Sequence, residues 1–279
     1  MSNTASPGPI ILTNNKSGEV ALWVTFVIFF LSPLFFILVG LQVHTRKRSF
    51  HYINATIAII SALNYYKMAS GGGWKLVSQG DKLVNGEVHE IFRQVYYEHY
   101  VNWSMCTPLT IFQTAILSGM SWKDVAIFVL ATEGLIQTGW VGALEENVTN
   151  KFVWWGFSIL FLIWVVYSML WIGGQAVKLQ HYRVNWLYIV VVGGGAALMI
   201  AYPVLFLLGE GFGVVSVGTE QIIYSILDIL ARVPLGFLLI YVNEFTGDNF
   251  HLDLLPESLT ELRSSAKRGP VYLEGQEQV

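Results

Sequence analysis

The stretch 221–243, QIIYSILDILARVPLGFLLIYVN, contains only two charged residues, Asp228 and Arg232. A helix needs about 20 predominantly apolar residues to cross the hydrocarbon core of a bilayer, and this stretch is long enough. An ionisable group inside a bilayer costs about 2.5–3.5 kcal/mol on insertion scales, so both side chains need a compensating environment. The stretch therefore predicts a membrane-spanning helix with a polar site near its centre.

Six further apolar blocks precede this stretch. Five of them, 21–43, 52–66, 100–122, 152–177 and 184–209, contain no Asp, Glu, Lys or Arg, and the sixth, 125–144, contains one acid. Six of the seven blocks are long enough to span a membrane by themselves. The short second block extends to about residue 70 if Ser61, Asn64 and Lys67 face the interior of a bundle. The first block is too long for a signal peptide and has no basic segment before it. The sequence thus predicts an all-α membrane protein, a bundle of seven transmembrane helices.

The overall composition agrees with this fold class and excludes several others. Apolar residues make up 54% of the chain and charged residues 13%, whereas a soluble domain carries about a quarter charged residues. The net charge is -3 and the basic residues form no stripe, so we expect no nucleic-acid partner. The one cysteine, Cys106, excludes a disulfide framework and a Cys-rich metal site. The predicted spans contain no metal-ligand cluster and no nucleophile–base pair, so we expect neither a metal nor an enzyme.

The distribution of basic residues predicts an outer N-terminus and a cytoplasmic C-terminus. With that orientation, nine basic residues lie in inner segments and four in outer segments, as the positive-inside rule requires. The inner residues are Arg46, Lys47, Arg48, Lys123, Lys178, Arg183, Arg263, Lys267 and Arg268, and the outer ones are Lys16, Lys75, Lys82 and Lys151. The chain then divides into a disordered outer tail, 1–16, a seven-helix membrane domain, 17–245, and a cytoplasmic tail, 246–279. The outer loop 71–89 contains the pair Asn85-Gly86, which is typical of a type I′ hairpin turn.

Asp228 and Arg232 lie four residues apart and therefore share one face of the predicted last helix. The acid precedes the base, which is the favourable order for such a pair. In hydrocarbon the two side chains should form a charge-assisted contact and point into the bundle. Two interpretations stay open: a structural salt bridge that holds the last helix in place, or part of a functional site.

Five motifs, in order and at consistent spacing, resemble those of the microbial (type I) rhodopsin family, and most of all its fungal branch. The third helix has HYVNW at 99–103 and TPL at 107–109, and the fourth has GWVGAL at 139–144. The fifth has FVWW at 152–155, the sixth has AYP at 201–203 with GEG at 209–211, and the last has LDILA at 227–231. The resemblance covers about residues 20–245 and implies a seven-helix rhodopsin fold.

Arg232 stands where this family has the lysine that carries retinal as a Schiff base. A Schiff base needs a neutral amine, which a buried lysine can supply. A guanidinium stays protonated and its nitrogen lone pairs are delocalised, so it cannot take that role. Lys67, near the outer end of the second helix, is a poor substitute. The resemblance and this departure together imply an opsin-related protein without covalent retinal.

The proton-relay positions of the family's pumps also differ here. Asn102 replaces the carboxylate that accepts the proton, Gln113 replaces the internal donor, and His99 replaces the arginine before the acceptor. Amides neither take up nor release protons at a relevant pH, so we expect no light-driven pumping. We expect His99 to stay neutral or to cap a hydrogen bond. Because Asp228 and Arg232 cancel each other's charge, Asn102 and Arg232 appear as matched changes.

Three further acids stand at or near positions of the family's pattern. Glu210 and Glu220 match its release-side acids at the outer mouth, and the alternative is that they are solvated loop residues. Glu133 lies one residue from a position near the chromophore ring. Its alternative interpretation is a protonated or hydrogen-bonded acid of the bundle.

Part of the family's retinal pocket persists in the sequence. Trp103, Trp155, Tyr202 and Tyr65 stand at its aromatic positions, whereas Leu198 and Phe206 replace two sixth-helix tryptophans. Aromatic residues also pack ordinary bundles, so one expectation is a core filled by side chains or lipid. The other is a reshaped cavity that holds retinal or another lipophilic ligand without a covalent bond.

The resemblance implies an integral protein of the plasma membrane with a stress or regulatory role. Its partners would be the lipid bilayer and another membrane protein, such as a proton-pumping ATPase, or a second copy in a homo-oligomer. One alternative is a reversible binder or sensor of retinal or another lipophilic molecule. The other is a rhodopsin-like photoreceptor or ion transporter. A ligand binder predicts a continuous cavity between Trp103, Trp155 and Tyr202 near Arg232, whereas a scaffold predicts a closed core.

Overall fold

The computed structural model describes residues 8–84, 86–178 and 182–244, and of residues 46, 182–184 and 244 it describes the backbone alone. Residues 1–7 of the predicted outer tail lie outside the described residues. So do Asn85, the whole predicted cytoplasmic tail with Arg263, Lys267 and Arg268, and the side chains of Arg46 and Arg183.

The described part of the chain contains seven long helices. Four are uninterrupted: α1, Lys16–Leu41; α2, Ser49–Ala69; α3, Glu98–Ser118; and α4, Trp122–Leu144. Helix α5 runs over Val148–Tyr167, then through a π-helical turn, Ser168–Ile172, to Gly173–Val177. Helix α6 runs over Tyr182–Phe206 and ends in a π-helical turn, Leu207–Gly211, and α7 runs over Val217–Glu244. The predicted seven-helix fold is confirmed.

Local sequence signals set several helix ends. The Oγ of Ser121 accepts the backbone N–H of Asp124 at 3.3 Å and caps α4. The Oδ1 of Asn147 accepts the N–H of Asn150 at 3.1 Å and caps α5 in the same way. Helix α3 ends at Gly119, whose φ of 74° is the left-handed conformation that glycine adopts without strain. These caps satisfy backbone groups that a helix end leaves unpaired.

Length and apolarity alone identify five of the seven helices as candidate membrane spans in the described residues: α1, α4, α5, α6 and α7. Helices α2 and α3 have 21 residues each and are long enough, but they are too polar to qualify. The prediction that the third block would qualify by itself is therefore wrong. Two of its polar residues, Asn102 and Gln113, are fully buried inside the bundle and do not face the apolar surroundings.

The outer helix faces are apolar, as a bilayer requires, and the polar side chains of the spans are buried inside the bundle among apolar core residues. Asp228, Asn102 and Gln113 are each 0% exposed. Large apolar side chains cover the outer helix faces instead, with Leu63 67% exposed and Leu130 70% exposed. The protein is an integral membrane protein.

A three-stranded sheet covers one end of the bundle. Strands β2, Lys75–Val84, and β3, Glu87–Val95, pair antiparallel across a turn at Gly86, whose φ is 89°, which confirms the predicted hairpin. Strand β1, Ile10–Leu12, pairs parallel with the other edge of β3. Residues 10–12 were expected to be disordered, and this expectation is wrong because β3 offers them a free edge to pair with.

A buried ion pair fastens this sheet to the bundle. The Nη2 of Arg93 in β3 lies 2.6 Å from the Oε2 of Glu220 in the first turns of α7, and each side chain is 1% exposed. The same Nη2 donates to the backbone O of Val215 at 2.9 Å. Ile91 and Val95 are buried on either side of it, so the two-residue alternation of β3 puts Arg93 on the inward face.

We predict that Arg93→Met destabilises the protein by about 3–5 kcal/mol, because it leaves the Glu220 carboxylate buried without a partner. The double variant Arg93→Met/Glu220→Leu should recover most of this loss, since neither charge is left unpaired. Unfolding of the detergent-solubilised protein by a denaturing detergent measures the free energy of unfolding of the single and the double variant.

Lys75→Met is the matched control, because its ion pair with Glu146, 3.8 Å long, has both side chains more than half exposed. It should change stability little. An Arg93→Met variant as stable as the wild type would contradict the role of this pair.

Candidate functional site

The carboxylate of Asp228 joins four helices at the centre of the bundle. It accepts hydrogen bonds from the Tyr65 hydroxyl of α2 at 2.8 Å and from the Trp103 indole of α3 at 2.9 Å. The Tyr202 hydroxyl of α6 donates to it at 2.7 Å. A carboxylate that is 0% exposed is stable only when its oxygens are paired in this way.

Arg232 supplies the opposite charge. Its Nη1 lies 2.6 Å from the Oδ1 of Asp228 and also donates to the backbone O of Asp228 at 3.3 Å. The guanidinium carbon lies 5.8 Å from the ring centroid of Phe29. The i,i+4 contact predicted from the sequence is therefore present. The Nε of Arg232 is buried and has no hydrogen-bond partner.

Asn102 and His99 stand beside this pair on α3. The Nδ2 of Asn102 lies 3.5 Å from the Oδ2 of Asp228, a weak contact at best. The Nε2 of His99 lies 2.7 Å from the Oε1 of Gln221, so His99 holds the hydrogen bond that was expected of it. Its Nδ1 lies 3.9 Å from Asp228, too far for a hydrogen bond.

A cavity of about 130 Å³ lies next to Arg232. Trp103, Trp155 and Tyr202 line it, and Leu198 and Phe206, which replace two of the family's tryptophans, line it as well. The core is therefore not closed by side chains at this place. Tyr65, expected among the lining residues, is not one of them: its hydroxyl is engaged by Asp228 and its ring packs 5.4 Å from that of Phe29.

Two acids that the sequence left as possible loop residues are buried in the structure. Glu210 and Glu220 are both fully buried, so the solvated-loop alternative is wrong. The Tyr100 hydroxyl donates to Glu210 at 2.7 Å, and Glu220 pairs with Arg93. The Nζ of Lys151, also buried, donates to the backbone O of Glu210 at 3.3 Å. The residues that contact these acids come from β3, α3 and α5, which lie far apart in the sequence.

Polar side chains connect the hairpin end with the central site. The Nε2 of Gln221 donates to the Oε1 of Glu220 at 3.4 Å, and its Oε1 faces His99. His99 in turn lies beside Asp228, and Glu220 beside Arg93. The series from Arg93 to Asp228 is buried throughout, and its last step, from His99 to Asp228, is not a hydrogen bond.

The remaining candidate residues lie apart from the cavity. Gln113 donates to the backbone O of Phe50 at 3.1 Å, and its Oε1 is unpaired. Glu133 is partly exposed and accepts from Gln137 on the next turn of α4 at 3.2 Å, which agrees with a hydrogen-bonded acid. Lys67 pairs with Glu98 at 2.5 Å and is half exposed, so it is not placed to replace Arg232.

Comparison with known proteins identifies the family of this chain and its relatives. The model of the family described as "Bacteriorhodopsin-like protein" matches residues 17–244. "Opsin-1" of Neurospora crassa is 31% identical over 237 residues, which is 82% of this chain and 77% of that protein. "Opsin-like protein carO" of Fusarium fujikuroi is 29% identical and covers 78% of this chain and 71% of its own length. The resemblance to microbial rhodopsins with fungal relatives is confirmed.

Solved structures show the same fold. The light-driven proton pump LR (Mac) from Leptosphaeria maculans superimposes with a TM-score of 0.81 at 27% identity, covering 85% of this chain and 99% of that one. The light-driven proton pump CsR from Coccomyxa subellipsoidea gives 0.77 at 31% identity, covering 83% and 99%.

The thiol of Cys106 lines the cavity and lies 3.4 Å from the Oδ1 of Asn102. Because a buried thiol reacts slowly, we predict that a charged maleimide labels the native protein at least an order of magnitude more slowly than the unfolded chain. A small uncharged maleimide should reach the cavity and label faster than the charged one. Mass spectrometry of timed samples measures both rates.

Cys106→Ser is the control and should abolish labelling, since the chain has one cysteine. Equal rates for the charged reagent on native and unfolded protein would show that the site is open to solvent.

Proposed function

Because the chain belongs to the bacteriorhodopsin-like protein family, we propose that it binds a lipophilic ligand reversibly inside the bundle. In this proposal it carries no covalent retinal and pumps no protons in response to light. The observation that supports it is the cavity between Trp103, Trp155 and Tyr202 beside Arg232. A protein that acts as a scaffold alone has no need of such a cavity, which costs packing energy.

The lining of the cavity suits an apolar molecule. Aromatic and aliphatic side chains form most of the wall, and the aromatic members belong to four different helices, α3, α5, α6 and α7. Apolar cavities with one or two placed polar groups are the usual form of a small-molecule site. Retinal is the first ligand to test, because the relatives are opsins.

The absence of a covalent bond is proposed from the chemistry of Arg232. None of the described residues that line the cavity is a lysine, and the charged residue among them is Arg232. A guanidinium paired with a carboxylate at 2.6 Å stays protonated and cannot attack an aldehyde. A ligand in this cavity is therefore held by contact and hydrogen bonds, and it can leave.

The absence of pumping is proposed from two amides. Asn102 lies beside Asp228. Gln113, about three turns further along α3, donates to the backbone O of Phe50 in α2. Neither side chain exchanges a proton during a reaction cycle. The relatives described as light-driven proton pumps share the fold, and fold alone does not carry their activity over.

We propose further that a partner protein in the plasma membrane distinguishes the ligand-bound protein from the ligand-free one. The role of this interaction would be in a stress response or in regulation. A proton-pumping ATPase, another membrane protein or a second copy of this chain would fit. This part of the proposal rests on the likeness to fungal opsins and on the burial of the site. Because the site is buried, a partner would have to contact the outer helix faces.

We predict that retinal added in the dark quenches tryptophan fluorescence saturably, and that Gly195→Leu weakens this binding. Gly195 lines the cavity, and a Cβ there would meet only the flexible end of Met169, at 3.2 Å. Filling the space costs about 1–3 kcal/mol, which corresponds to binding weaker by about 5- to 150-fold.

Gly193→Leu is the matched control on the same helix, because a Cβ at Gly193 meets nothing within 4 Å. It should bind like the wild type. Unchanged binding by Gly195→Leu, or no saturable quenching in the wild type, would contradict the proposed function.

A further inference from the structure

We infer that this cavity selects a ligand whose polar end is an uncharged oxygen acceptor, such as an aldehyde, a ketone or an alcohol, and that it discriminates against a carboxylate. The inference rests on the proposed function and names the class of molecule that the site takes. Three independent features of the lining carry it.

The first feature is an unused hydrogen-bond donor. Arg232 is 6% exposed and lines the cavity, and its Nη1 is occupied by Asp228. Its Nε is buried and has no partner. A buried donor without an acceptor is unfavourable, so a ligand oxygen beside the guanidinium would supply an acceptor that no side chain of the described residues supplies to this Nε.

The second feature is the balance of charge. Asp228 already neutralises Arg232, and the other close donors to Asp228 are the uncharged groups of Tyr65, Trp103 and Tyr202. A ligand carboxylate would add a second negative charge to a site with one cation. His99, with its Nδ1 3.9 Å from Asp228, compensates that charge only when it is protonated. An uncharged acceptor keeps the site neutral, which burial favours.

The third feature is that three hydroxyls of the lining are engaged by backbone carbonyls of their own or a neighbouring helix. Thr110 donates to the backbone O of Cys106 at 3.3 Å, and Thr114 donates to that of Thr110 at 2.9 Å. Ser158 donates to the backbone O of Leu135 at 3.0 Å. These three groups do not compete for the polar end of a ligand, and the charged donor that the lining offers it is Arg232.

Three probes that differ only at the polar end test this selection: retinal, retinol and retinoate. Their binding to the full-length protein in detergent is measured by tryptophan quenching at a pH of about 8, where a histidine of ordinary pKa is uncharged. We expect saturable binding of the aldehyde and the alcohol, and binding of retinoate at least about tenfold weaker.

Removal of the negative charge of Asp228 should reverse this order of binding. In Asp228→Asn the guanidinium loses its counter-charge, so retinoate should bind more tightly than retinol. Glu133→Gln is the matched control, because it removes the same charge on α4 from a side chain that does not line the cavity. It should keep the wild-type order.

Each outcome of these binding measurements either supports or overturns the inference. Retinoate binding to the wild type as tightly as retinal, or an unchanged order in folded Asp228→Asn, would overturn the inference and leave the proposed function intact. Failure of all three probes to bind the wild type would overturn the proposed function itself. If Asp228→Asn does not fold, the comparison of the three probes on the wild type is decisive alone.

Discussion

The ion pair between Asp228 and Arg232 is the interaction on which the centre of this protein depends. A guanidinium at mid-bundle must be neutralised, and the carboxylate one turn earlier on α7 does so at 2.6 Å. The second oxygen and the remaining lone pairs of that carboxylate then bind side chains of α2, α3 and α6. One charge pair thus orders four helices around a common point. It also leaves a guanidinium at the wall of an apolar cavity, with one donor unused.

The same physical constraint operates a second time at the sheet end of the bundle. Arg93 enters from a strand and is neutralised by Glu220, while Glu210 is satisfied by Tyr100 and lies near Lys151. Gln221 and His99 lie between the two charge clusters and contact both. Every member of both clusters is buried, and the hydrogen-bonded series that starts at Arg93 ends at His99, whose Nδ1 lies 3.9 Å from Asp228.

The seven-helix fold and the central ion pair could be predicted from the sequence because both depend on local spacing. Apolar blocks and an i,i+4 pair are visible in a single segment, and so is the turn at Gly86. The burial of Arg93, Glu210 and Glu220 could not be predicted in this way, since each partner comes from a distant segment. The polarity of α3 was misjudged because absence of charge is not apolarity: amides and hydroxyls stay inside a bundle only when other helices cover them. The cavity depends on how side-chain volumes add across helices, which no single segment records.

The most direct test of this account is the visible absorption spectrum of the protein with all-trans retinal, recorded beside that of Arg232→Lys. The account predicts that the wild type keeps the band of free retinal, because its cavity binds without a covalent bond. The variant should gain a red-shifted band, because a lysine at the cavity wall can form the protonated Schiff base. A red-shifted band in the wild type that borohydride reduces to a stable adduct would contradict the account, and the adduct's position would identify the amine responsible.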